Sequence, residues 1–136
     1  MKTLHMKTFQ TITLAAAIAL TLACGYSKSN STPVAGTMPA ISELNPNDTT
    51  AGGAAFTLTV NGSNFATKAV VNWNGAAQAT TYVSPNQLMV AIPAALIADS
   101  ATIAITVTNP ATPGTGIYNT GATLAATSSP MNFVVN

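Results

Sequence analysis

The sequence predicts an all-β fold, a sandwich of about seven short strands. Apolar residues recur at every second position: Phe56, Leu58 and Val60; Leu88, Val90 and Ile92; Ile103, Ile105 and Val107; Phe133 and Val135. That period buries one face of a strand and leaves the other wet. Gly, Asn and Pro fall between the runs, where turns need positive φ or tolerate a missing N–H. After residue 24, no stretch reads as a helix long enough for a βαβ unit.

The 136 residues suffice for one domain of ordinary size. Charge is sparse: four lysines, no arginine and three acids give a formal net charge of +1. Thr, Ser, Asn, Gln and Ala must therefore form much of the surface. A domain of this size buries roughly 60–70% of its unfolded surface, enough to fold without disulfides or metal. Branched and aromatic residues at strand spacing supply that core, which excludes a disordered chain.

Residues 1–23 read as an export signal rather than as part of the fold. Lys2 and Lys7 form a positive start, and Met1 and Met6 are both placed to begin translation. Ile12 to Ala23 is apolar apart from Thr13 and Thr21. As a helix this run covers about 18 Å, too short for a bilayer core of about 30 Å and suited to a signal peptide. It ends in Leu20-Thr21-Leu22-Ala23-Cys24, and Cys24 is the only cysteine. The segment resembles a bacterial lipobox, with small Ala23 before the cut and a cysteine whose sulfur receives diacylglycerol. Thr21 stands where the motif usually has Leu. The other reading is an ordinary secretory signal in which Cys24 is incidental. A lone cysteine forms no internal disulfide, so lipidation gives its position a reason. The resemblance implies a palmitate-bearing lipoprotein. With Gly25 rather than Asp next, it implies sorting to the outer membrane, facing the periplasm or the surface.

Gly25 to Met38 is rich in Ser, Thr and Gly and shows no alternation, so residues 24–38 are expected to be a lipidated cysteine and a flexible linker. A flexible chain of that length has a root-mean-square reach of roughly 20 Å. Such a tether lifts a domain off the headgroups and lets it reorient.

Residues 39–136 form the expected domain. Pro39 to Pro46 reads as a short first strand, and its prolines suit an edge position, where a missing N–H harms no ladder. Asn47 to Gly53 is a loop. The run from Phe56 to Val60 is a strand, and Asn61-Gly62-Ser63-Asn64 is expected to turn, with Phe65 as a plug beneath. Val71 and Trp73 alternate with Asn72 in the next strand, which Asn74-Gly75 ends. Ala79 to Val83 is a weak strand, and Ser84-Pro85-Asn86 a turn. Leu88 to Ile92 is a strand stopped by Pro93, and Ala94 to Ile97 a single helical turn. Ile103 to Val107 is a strand closed by Asn109-Pro110. Met131, Phe133 and Val135 make the last. The inward set is Phe56, Leu58, Val60, Phe65, Val71, Trp73, Leu88, Val90, Ile92, Ile103, Ile105, Val107, Phe133 and Val135.

Together these residues are similar to an IPT/TIG domain. The resemblance runs through Pro39 and Ile41, Asn45-Pro46, Gly52-Gly53, Leu88 to Pro93, Asn109-Pro110 and Phe133. It also takes in Val71, Trp73 and Gly75, and its most specific part is the Gly62-Ser63-Asn64-Phe65 segment after the alternating strand. It covers Pro39 to Val135 and implies an immunoglobulin-like sandwich of a kind found in plexins, some transcription factors and many bacterial exported proteins. Ala111 to Pro130 is longer than the turn usual between the last two strands.

The residue inventory argues against catalysis. Cleavage before Cys24 removes His5, the only histidine, and leaves Lys28 and Lys68 against Glu43, Asp48 and Asp99. Acid–base work needs a tunable pair, and a nucleophile needs a base beside it. Lys68, in a loop after Phe65, is read as a solvated charge rather than half of a Ser-Lys dyad. Asp48 near Asn45 and Asn47 is read as turn chemistry rather than a calcium loop. Zinc has no His or Cys ligands, so no metal or cofactor is expected. Two lysines cannot make the phosphate contacts that nucleic acid requires. Trp73 alternates with Val71 and is read as core rather than as a sugar platform.

Recognition or assembly remains. Ala111 to Pro130 is twenty residues long, and loops of that length are usually functional or disordered. It carries Ile117, Tyr118 and Leu124, which become the candidate partner contacts. The sequence thus points to a lipid-anchored, non-enzymatic module of the cell envelope that recognises a protein or polysaccharide. The alternatives are an accessory to an exported carbohydrate-active enzyme system and a purely structural spacer.

Overall fold

Along the strand Phe56–Ser63, Leu58 and Val60 are fully buried while Thr57 between runs is exposed, so the period of two is realised in space. The structure is a computed structural model describing residues 32–116 and 120–136. The export signal, Cys24 and most of the expected linker lie outside the described residues, as do Ile117 and Tyr118.

Ten strands follow in order: β1 (Ala40–Asn45), β2 (Asp48–Thr49), β3 (Phe56–Ser63), β4 (Val70–Trp73), β5 (Ala76–Ala77), β6 (Thr80–Ser84), β7 (Gln87–Ile92), β8 (Ala101–Asn109), β9 (Ala126–Thr127) and β10 (Met131–Val135). The seven longer ones match the expected strands, and β2, β5 and β9 are two-residue additions. A 3-10 turn, Ala94–Ile97, joins β7 to β8.

Two sheets form. One has the order β1-β3-β7-β6; the other runs β2-β10-β8-β4-β5, with β9 added on β8. In immunoglobulin lettering these are the A-B-E-D and G-F-C sheets of an Ig-like sandwich. All pairs are antiparallel except β2 with β10. β1 is an edge strand, as its flanking prolines require. The register shifts between Ile41 and Glu43 in β1, and between Tyr82 and Ser84 in β6.

Between the sheets, Phe133 of β10 is fully buried and joins both layers. Its ring stacks on Phe56 of β3 at 5.7 Å and meets Trp73 of β4, tilted, at 5.2 Å. Every expected core residue is buried except Phe56, which is half-buried. Leu44, Ala69, Ile97 and Ala122 are buried as well. None of them falls in an alternating run of large apolar residues, so no period of two marks them.

One expected turn is displaced. β3 continues through Asn61 and Gly62 to Ser63, and the positive φ falls on Asn64, at 60°. Gly62 is needed for close approach instead: a Cβ there would overlap the Ala40 carbonyl and the Phe65 ring. Phe65 is the plug that the sequence suggested, 3% exposed below that strand end. Asn74 and Gly75, at φ 49° and 86°, make the expected exit turn from β4.

Candidate functional site

The sandwich has two ends, and they differ in chemistry. At one, β8 finishes at Asn109, a side chain 6% exposed. Its Oδ1 accepts from the Ala66 N–H at 3.0 Å, and its Nδ2 donates to the carbonyls of Thr37 at 2.9 Å and Asn64 at 2.8 Å. One amide thus ties the β3–β4 turn to the entry of β1. Sequence reasoning read Asn109-Pro110 as a strand stop and missed the clamp, because the partners lie 43 to 72 residues away.

Beyond Asn109 the chain makes its long excursion. Thr112 and Thr123 exchange backbone hydrogen bonds at 3.1 and 3.0 Å, and their hydroxyls meet at 2.7 Å. Thr115 and Thr120 form a second pair. Val34 lies parallel to Thr123: its N–H donates to the Ala122 carbonyl at 3.0 Å, and its own carbonyl accepts from the Leu124 N–H at 2.9 Å. Gly36 passes so close that a Cβ would overlap the Leu124 carbonyl. Within the stretch read as linker, the chain is therefore already bonded to the domain at Val34. Leu124, the one described candidate contact, is 54% exposed. The excursion returns at Ser128, whose Oγ accepts from the Val107 N–H at 3.0 Å and whose N–H donates to the Val107 carbonyl at 2.8 Å.

At the opposite end a shallow hollow opens where β3 begins and β7 ends. Phe56, Ile92 and Pro93 line it, with Thr57, Gln78 and Ala91 at its sides. This is why Phe56 is only half-buried. Alternation alone gives Phe56 the same inward sense as Leu58, so the hollow leaves no mark in the sequence.

Charge is divided between the ends. Lys68 is exposed on the turn closed by the Ala69 N–H to the Ala66 carbonyl, next to the Asn109 clamp. Asp48 in β2 and Asp99 just before β8 stand at the hollow's end, both exposed. Asp48 Oδ2 accepts from Asn136 Nδ2 at 3.2 Å. Between the ends, Glu43 accepts from Asn61 Nδ2. On the outer face of the second sheet, Asn72 Nδ2 donates to the hydroxyls of Thr106 at 3.3 Å and Thr108 at 3.0 Å, and Thr108 meets Thr127 at 2.8 Å.

Among the described residues, no group of three or more His, Cys, Asp or Glu is placed to hold a metal ion. Every buried side-chain nitrogen and oxygen described has a hydrogen-bond partner, so none is held in reserve for a ligand. Trp73 is 4% exposed and packed on Phe133, which makes it core rather than a stacking platform.

The family model of the IPT/TIG domain matches residues 39–128. The chain belongs to the IPT/TIG family. The match takes in β1 to β9 and ends just before β10. IPT/TIG domains are Ig-like modules and generally non-catalytic. No curated protein matches the chain.

Proposed function

We propose that the protein is a lipid-anchored binding or assembly module of the bacterial envelope, without catalytic activity of its own, which recognises a protein or a surface polysaccharide. Membership of the IPT/TIG family carries this reading, because such modules work through their surfaces. The lipobox-like Leu20 to Cys24 supports the anchor. Two surfaces suit a partner: the excursion with Leu124, and the hollow lined by Phe56, Ile92 and Pro93.

Pull-down from detergent-solubilised membranes tests the reading. The full-length protein should capture a specific protein or glycan. A variant with residues 114–121 replaced by a short Gly-containing turn probes the excursion, and Ala91→Arg fills the hollow. Loss of capture in one variant assigns the surface. A full-length protein that captures nothing is a spacer, and the binding reading then fails.

A further inference from the structure

The distance between the lipidation site and the domain is short enough to orient the domain. Ten residue steps separate Cys24 from Val34, which is bonded to Ala122 and Leu124. A chain of that length reaches at most roughly 35 Å. The nine residues of β8 alone span about 30 Å of the sandwich. The Val34 bridge lies at the end where β8 finishes, beside Asn109 and Lys68. Bringing the hollow's end to the bilayer would stretch the tether close to its limit along the whole domain.

Charge points the same way. Lys68 stands at the tether end, Glu43 on β1 between the ends where it accepts from Asn61, and both Asp48 and Asp99 at the other end. An anionic headgroup layer attracts lysine and repels carboxylates. The excursion that shares this end, residues 110–125, contains no acidic residue.

We propose that the tether end of the domain, with Lys68 and the Thr112–Thr123 pair, rests against the lipid headgroups, so that the Phe56–Pro93 hollow points away from the membrane. This rests on the lipid anchor at Cys24. It makes the lipid surface the partner of the excursion and leaves the hollow to meet molecules from the aqueous side. Fixing the end that faces the bilayer also removes the free reorientation that a longer linker would allow.

Full-length lipoprotein reconstituted into vesicles of phosphatidylethanolamine and phosphatidylglycerol tests the orientation. With Cys24 occupied by lipid, one added cysteine is the only free thiol. Thr67→Cys marks the tether end and Ser100→Cys the far end, both at exposed positions. A fluorophore at each site is read against nitroxide-labelled headgroups. Quenching at position 67 should exceed that at 100 several-fold, and a long Gly/Ser insert after Asn30 should bring the two together. Equal quenching without the insert, or stronger quenching at 100, overturns the orientation, whereas a preference for 67 that the insert leaves unchanged supports it and assigns it to the headgroup contact rather than to the tether length. Flotation with the vesicles is scored first. Protein that fails to float removes the anchor and the orientation with it, whereas protein that floats and quenches evenly removes the orientation alone.

Discussion

The side-chain amide of Asn109 donates to the backbone carbonyl of Asn64 at 2.8 Å, holding the left-handed residue that turns the chain from β3 to β4. The same side chain also bonds Thr37 and Ala66. Asn109→Ala leaves these buried groups without their partner and should cost about 2–4 kcal/mol, since each orphaned group costs about 1–3. Asn109→Asp keeps the shape but turns an acceptor toward two carbonyls, so it should destabilise as well. Urea melts decide: an Asp variant as stable as wild type would mean that shape, not hydrogen bonding, makes the clamp.

Two glycines should respond differently to alanine. At Gly62 a Cβ meets backbone and a packed ring, and the loss should be about 3 kcal/mol or more. At Gly75 nothing lies within 4 Å, so only the φ of 86° is strained, for about 1 kcal/mol. Thermal melts of both variants should keep that order; the reverse order would place the close approach elsewhere.

Trp73→Ala removes a buried ring from its contact with Phe133 and should cost about 3–5 kcal/mol. Against a typical total of about 5–15 kcal/mol, much of the population then unfolds. A change below about 1 kcal/mol in the urea midpoint analysis would falsify the packing described for it.

The excursion should be removable only in part. Replacing residues 114–121 with a short Gly-containing turn keeps the Thr112–Thr123 pair and buried Ala122, so stability should fall by about 1 kcal/mol or less, because closure entropy changes slowly with length. Extending the cut through Ser128 strips the partner from the Val107 N–H and should cost about 1–3 kcal/mol more. Circular dichroism melts that show no difference between the two cuts would refute this division.

Cys24→Ala should abolish incorporation of radioactive palmitate and release the protein from membranes. Wild-type protein that takes up no label and fractionates as soluble returns Cys24 to an incidental place in a secretory signal.

The strands were legible because alternation is a local property. Leu58, Leu88 and Ile105 each declare their strand without help from distant residues, and the family resemblance carried the sheet order. What escaped depends on pairs far apart in the chain. Gly62 looks like a turn residue until Ala40 is seen lying across it. Asn109 looks like a strand stop until Thr37, Asn64 and Ala66 converge on it. Val34 sits in a stretch with the composition of a linker, yet it pairs with Thr123 through backbone atoms, which composition does not report. The hollow escaped for a related reason: Phe56 borders open space that is set by Ile92 and Pro93, more than thirty residues on.

The irregular registers of β1 and β6 bear on self-association. These two strands are the edges of one sheet, and each offers unpaired backbone groups to a second copy. Proteins commonly guard such edges with charge, but here the described residues carry only Lys68, Glu43, Asp48 and Asp99. The shifts at Ile41/Glu43 and Tyr82/Ser84 break the straight run of donors and acceptors that edge-to-edge pairing would require. In a domain with so little charge, opposition to edge-to-edge pairing thus falls to the shape of the backbone.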